Sequence, residues 1–183
     1  MVLQTERLRL ETLDPQHAEA LLDYELRNRE HLRRWEPARD DSYYSLENIR
    51  NQLEADVAHI REQRIMRFAA FSESPEIIAV INLWQIRRGV DHSAVIGYSV
   101  DAKYQSQGVA TEAAGAVVRY AFEELNLHRI HTSYQPENER SARVLKKLGF
   151  QIEGRAREQM FFDGAWRDGI LVAILNPNWR REK

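Results

Sequence analysis

The chain has 183 residues, no cysteine and a net charge of −2. That length suits one domain, residues 1–183, with a sizeable core. Hydrophobic residues make up 43% and charged ones 30%, a globular rather than disordered balance. The missing cysteines exclude disulfides, a thiolate nucleophile and thiolate metal sites. The charge offers no global pull toward nucleic acid or an anionic membrane. The start, Met1-Val2-Leu3-Gln4-Thr5-Glu6-Arg7, is too polar for a signal peptide. The longest apolar run, Ile77 to Trp84, is broken by Asn82 and too short for a bilayer. A cytoplasmic protein, without membrane or direct nucleic-acid partners, is the expectation.

Arg7 to Leu13 alternates charged and apolar residues and predicts a strand. Asp14-Pro15 then reads as an N-cap and first helical position, with Ala18, Leu21, Leu22 and Leu26 continuing an amphipathic helix. A polar and aromatic stretch, Glu30 to Tyr44, follows. Ser45 is the expected N-cap of a second helix bearing Leu46, Ile49, Leu53, Val57 and Ile60 on one face. Three strands are predicted next, Met66 to Phe71, Ile77 to Ile86 and Ala94 to Val100. From Gly108 the apolar period becomes helical through Leu125. Arg129 to Tyr134 reads as a strand and Asn138 to Leu148 as a helix closed by Gly149. Two last strands, Gln151 to Phe161 and Arg167 to Ile174, flank the hairpin signal Asp163-Gly164. The order β-α-α-β-β-β-α-β-α-β-β implies an α/β domain with a mixed sheet.

Two segments carry chemistry. Gln105-Ser106-Gln107-Gly108-Val109-Ala110-Thr111-Glu112 joins a strand to an alanine-rich helix. Helix N-termini expose unpaired N–H groups and the positive end of the macrodipole, so this junction can hold a phosphate. Gly108 read alone serves equally as a tight turn. The second segment is Asn138 to Phe150, directly after a strand.

Together they resemble the GNAT acetyltransferase superfamily: Gln105-x-x-Gly108-x-Ala110 is similar to its pyrophosphate loop, and the Asn138 helix ending in Lys147-x-Gly149-Phe150 to its fourth helix. Asn28 to Asp40, Ile96-Gly97-Tyr98-Ser99, His128-Arg129-Ile130, Gly149 to Gly154 and Asp163 to Asp168 extend the resemblance to the RimJ/RimL-type branch, which acetylates the N-terminal alanine of ribosomal proteins. It implies a GNAT fold, a mixed twisted sheet splayed at the acetyl-CoA site and flanked by helices.

On that resemblance, backbone at Tyr98, Ser99 and Val100 would pair with the pantetheine arm, and the amides of Gln105, Ser106, Gln107, Gly108, Val109, Ala110 and Thr111 would take the pyrophosphate. A backbone N–H near Val100 would polarise the thioester carbonyl. Asn138 would bind pantetheine amides or serve as a helix cap. Ser141 would protonate the leaving thiolate, because the tyrosine many relatives carry on this helix is Leu145 here. The strand glutamate of the RimL-type pattern is replaced by Met160. A water, or an acceptor reached through one, could then take the proton; Glu112 and Glu158 are further candidates for the base, each also readable as a structural or solvated carboxylate. Tyr98 would line the cleft, so the catalytic candidates are Ser141, Tyr98 and Glu112. Trp35, Glu36 and Asp40 would bind the acceptor, the acids drawing in a basic ribosomal tail; the alternative is an exposed charged loop. The histidines lack metal-ligand spacing, so no metal is expected. A monomer or homodimer using acetyl-CoA is anticipated. Competing readings are a polyamine or aminoglycoside acetyltransferase and a CoA-binding ribosome-assembly factor with little turnover.

Overall fold

The computed structural model describes residues 1–162 and 164–181. Its strands are β1 (Val2–Gln4), β2 (Arg9–Thr12), β3 (Met66–Phe71), β4 (Ile77–Arg87), β5 (Ser93–Val100), β6 (Arg129–Tyr134), β7 (Gln151–Phe162) and β8 (Ala165–Leu175). Its helices are α1 (Ala18–Leu32), α2 (Leu46–Arg61), α3 (Val109–Glu123) and α4 (Glu139–Lys147). Among the described residues the strands form one sheet in the order β1-β2-β3-β4-β5-β6-β8-β7. Every neighbouring pair is antiparallel except β5 and β6.

Asp14 caps a short 3-10 turn, Pro15–His17, that leads into α1, as the Asp-Pro pair suggested. Ser45 Oγ accepts from Asn48 N at 3.3 Å, a cap of the kind worth about 1 kcal/mol. The hairpin turn expected at Asp163 falls outside the described residues.

The sheet separates two cores. On one face α3 packs through Ala113, Ala114, Val117 and Ala121, small residues that let helix and sheet approach closely, against Phe68, Ile81, Leu83 and Ile96. On the other, α1 and α2 bury Leu21, Tyr24, Ile49 and Leu53 against Ala69, Ile77 and Val80.

Three local readings need correction. β1 was not foreseen, because three residues are too few to show a period; it extends the sheet by pairing Leu3 with Leu10. The first predicted strand is correspondingly shorter, since Thr5 to Leu8 form a turn closed by Thr5 N donating to Leu8 O. The buried face of α1 is Leu21, Tyr24, Glu25, Asn28 and Leu32, while Leu26 is exposed. Two polar residues sit on that face because each has specific partners, which hydrophobic periodicity cannot register.

Candidate active site

The site begins where the sheet opens. Among the described residues β5 and β6 pair only through Ser93–Val95 and Arg129–His131. Beyond that point β5 continues to Val100, paired on one side with β4, and β6 continues to Tyr134, paired with β8. The edge of β5 from Ile96 onward therefore faces a gap rather than a strand. Such an edge presents backbone donors and acceptors to an extended ligand.

Alternation along β5 assigns its side chains to the two faces. Tyr98 points to the α3–α4 face, where its Oη lies 3.0 Å from Ser141 Oγ on α4. Burial is the largest influence on the Tyr98 phenol and pushes it up to about 12, so it stays protonated at neutral pH. Ser99 points to the opposite face and accepts from Tyr24 Oη at 2.9 Å. The two sequence candidates Tyr98 and Ser141, 43 positions apart, are thus brought into contact.

Asp101, at the end of β5, anchors the phosphate-type loop to α1. It is 2% exposed. It accepts from Arg27 Nε at 2.6 Å, Asn28 Nδ2 at 3.1 Å and Lys103 N at 2.8 Å. Burial alone would raise its pKa, but these donors outweigh that cost and hold it below the usual carboxylate range. Asn28 Oδ1 in turn accepts from Ala102 N at 3.0 Å. Nothing in the sequence pattern marked Asp101, Arg27 or Tyr24; a buried polar stripe on a helix was the available signal.

The loop then passes Ser106, with φ of 60°, and Gly108, with φ of 83°, before α3 begins at Val109. Glycine adopts that left-handed conformation without strain. A Cβ at Gly108 would meet Arg7 Nη2 at 3.2 Å. Val109 is buried, whereas Ser106, Gln107 and Gly108 are exposed and Ala110 and Thr111 half-buried, so the first turn of α3 is open on the loop side. These features fit an anionic pyrophosphate at the helix N-terminus. Gln105 spans the mouth, its side chain meeting the His31 ring from α1 and accepting from Arg140 of α4. Gly108→Ala is expected to raise the acetyl-CoA KM about tenfold, since a left-handed alanine costs roughly 1–2 kcal/mol and displaces the loop. Initial-rate kinetics over a range of acetyl-CoA concentrations test this.

Asn138 caps α4, accepting from Ser141 N at 3.1 Å. Glu112 is engaged as a structural carboxylate, one of the two roles its position allowed. It accepts from Thr5 Oγ1 at 2.6 Å, Arg7 N at 2.9 Å and Arg7 Nε at 2.7 Å. Burial raises its pKa, yet those bonds bring the carboxylate below its ordinary value, which makes it a poor proton acceptor near pH 7. It ties the N-terminal segment to α3. Glu158 is exposed, in a β7 irregularity with φ of 49°. Met160 Sδ lies 3.9 Å from Ser133 Oγ on β6, so this position approaches the opening with a thioether instead of a carboxylate.

The acids expected to draw in a basic tail are engaged within the chain. Glu36 pairs with Arg39 at 3.1 Å, and burial raises its pKa. Asp40 caps a short turn by accepting from Tyr43 N, and Ser42 donates to it as well. Trp35 is half-buried, with the Arg34 guanidinium 4.8 Å from its ring centre. A cavity of about 460 Å³ opens where α1 and β6 end, lined by Glu30, Arg34, Gln135, Glu137 and Arg167 among others. A second, of about 290 Å³, lies under α2. Among the described residues no group of three or more acidic or histidine side chains could hold a metal, and no helix is long and apolar enough to cross a membrane.

Comparison with known proteins agrees with this geometry. The chain is 35% identical over 178 residues to the [ribosomal protein uS5]-alanine N-acetyltransferase of Escherichia coli (strain K12), covering 97% of this chain and 92% of that protein. It is 28% identical over 126 residues to spermidine N(1)-acetyltransferase of the same organism, covering 68% of this chain and 66% of that one. Among solved structures, the ribosomal-protein-S5-alanine acetyltransferase from Vibrio fischeri superposes with a TM-score of 0.95 at 31% identity, covering 99% of this chain and all of that one. Mycobacterium smegmatis RimJ in complex with CoA-disulfide superposes at 0.88 with 29% identity, over 96% of this chain and 85% of that one. The family model "Acetyltransferase (GNAT) domain" matches residues 7–151. With an eight-stranded mixed sheet, a splay between its parallel strands and an open helix N-terminus beside it, this chain belongs to the GNAT acetyltransferase family and is an acetyl-CoA-dependent N-acetyltransferase.

Proposed function

We propose that the chain acetylates the α-amine of a protein N-terminus, an alanine of a ribosomal protein. The observation that carries this reading is the Tyr98–Ser141 contact at the unpaired end of β5, in a chain so similar throughout to a uS5-alanine acetyltransferase. Acetyl-CoA supplies the acyl group as a thioester. Backbone at Ser99 and Val100 holds the pantetheine arm at the open edge of β5. The amides from Gln105 to Thr111 hold the pyrophosphate, and Asn138 orients the arm while capping α4.

Ser141 Oγ stands at the cleft with Tyr98 Oη behind it. As the amine displaces the thiolate, Ser141, held by its hydrogen bond with Tyr98 Oη, gives its proton to the sulfur and regains one from the amine nitrogen, which loses it as the amide forms. The amine must lose a proton to attack. A free α-amine, with pKa about 8 against about 10.4 for lysine, has a neutral fraction at pH 7 roughly 250-fold larger. Such an acceptor requires no strong base, which agrees with Glu112 being held by Arg7 and Thr5 and with Met160 at the opening. In this reading Glu112 is a clamp, and Trp35, Glu36 and Asp40 form an internally braced wall beside the acceptor.

A polyamine acceptor is the competing reading, favoured by the spermidine acetyltransferase relative. Acetyl transfer should be measured to peptides with a free N-terminal alanine, to N-terminally blocked peptides containing lysine, and to spermidine. Transfer confined to the free α-amine is expected; transfer confined to spermidine would overturn the assignment.

A further inference from the structure

The cavity of about 290 Å³ is built by α2 (Gln52, Asp56), the Arg39–Tyr43 loop, Arg67 of β3, and Asn82 and Trp84 of β4. Three features give it a chemical character. Asn82 Oδ1 is buried and has no hydrogen-bond partner among the described residues. An orphaned buried acceptor costs roughly 1–3 kcal/mol, so its presence beside a cavity points to a donor that arrives with a ligand. Arg39 and Arg67 are also in the lining, fixed by ion pairs to Glu25 at 2.7 Å and to Asp56 at 2.6 Å. Guanidinium groups offer only donors.

The third feature is position. Asn82 is the cross-strand partner of Gly97 on β5, two residues beyond the last pairing with β6. The Trp84 indole lies against Gly97 so closely that a Cβ there would overlap its Cη2. The cavity thus lies on the α1–α2 face one strand away from the start of the splay, Trp84 of its lining reaching across to Gly97, and opposite the face where Tyr98 meets Ser141.

We propose that this cavity receives the first peptide unit of the acceptor, its N–H donating to Asn82 Oδ1 and its carbonyl accepting from the arginines. This rests on the N-terminal reading above and specifies how such an acceptor is recognised. A peptide unit has one donor and one acceptor and answers both kinds of group in the lining. A protonated polyamine carries donors alone; it could satisfy Asn82 and Asp56 but offers no acceptor to the guanidinium groups. Trp84 forms the wall nearest the splay, and Gly97 has no side chain because the indole occupies that volume.

The test compares an N-terminal alanine peptide with its depsipeptide, in which an ester oxygen replaces the first peptide N–H. Both keep the free α-amine. For the native protein the ester should raise acceptor KM by about 3- to 10-fold, the range for one hydrogen bond, with acetyl-CoA KM unchanged. In Asn82→Leu the two acceptors should have equal KM. Native protein that treats peptide and depsipeptide alike, or an Asn82→Leu variant that still separates them, would overturn the inference while leaving α-amine acetylation standing. Turnover of spermidine with neither peptide acetylated would remove both together.

Discussion

Asp101→Ala is expected to lower the unfolding free energy by about 3 kcal/mol. Removing one partner of a buried ion pair typically costs about 3–5 kcal/mol, because the other charge stays buried without its counterion. The lower end applies because Arg27 keeps contacts to Asp23 and the Ile77 carbonyl. Asn28 would lose one partner and Lys103 N another. Urea unfolding of the native protein and variant measures the difference, and a change under about 1 kcal/mol would mean the network contributes little. The pH dependence has a definite sign. Asp101 is held below its unfolded pKa, so its stabilisation is complete above about pH 4 and is lost as pH falls through the folded value. Asp101→Ala should flatten the acid limb of the stability profile. The same variant should raise acetyl-CoA KM, because the carboxylate fixes the residues that lead into the Gln105–Gly108 loop.

Ser141→Ala is expected to lower kcat by about 100-fold, the lower end for loss of a positioned proton donor. Acetyl-CoA binding should persist, since the Asn138 cap uses the Ser141 backbone N–H and survives the substitution. Tyr98→Phe keeps the ring and removes only the hydroxyl, so a smaller fall in kcat is expected there. If Tyr98 acts through Ser141, the double variant should be no worse than Ser141→Ala alone. Additive losses would show two independent roles. A full kcat in Ser141→Ala would assign thiolate protonation to water.

The local geometry around the candidate site was legible because turns and caps depend on local sequence. A left-handed turn before an alanine-rich helix requires a residue such as Gly108, and a helix entering the cleft requires a cap such as Asn138. Those requirements stay within a few positions, and short motifs express them. The Asp-Pro start of the first helical region and the Ser45 cap were readable for the same reason.

The roles of acidic residues were not legible, since a carboxylate's behaviour depends on which donors reach it. Glu112 sits in the loop motif, yet Thr5 and Arg7, more than 100 positions away, turn it into a clamp. Glu36 and Asp40 suggested an open acidic surface, but Arg39 and the Tyr43 backbone already occupy them. Asp101 and Arg27 were given no role, and Asn28 figured only as the first residue of the Asn28 to Asp40 resemblance.

The sequence by itself determined the order of elements from β2 onward, the mixed sheet, the glycine turn before α3 and the family. Apolar period, caps and glycine positions are local properties that survive any docking of the elements. Only the tertiary structure decided that Tyr98 meets Ser141, that Glu112 is spent on Arg7, and that Asn82 is left with an unanswered oxygen beside Trp84. Each depends on a distance between residues far apart in the chain, set by strand register and helix docking, and hydrogen bonding and desolvation act over those few ångströms.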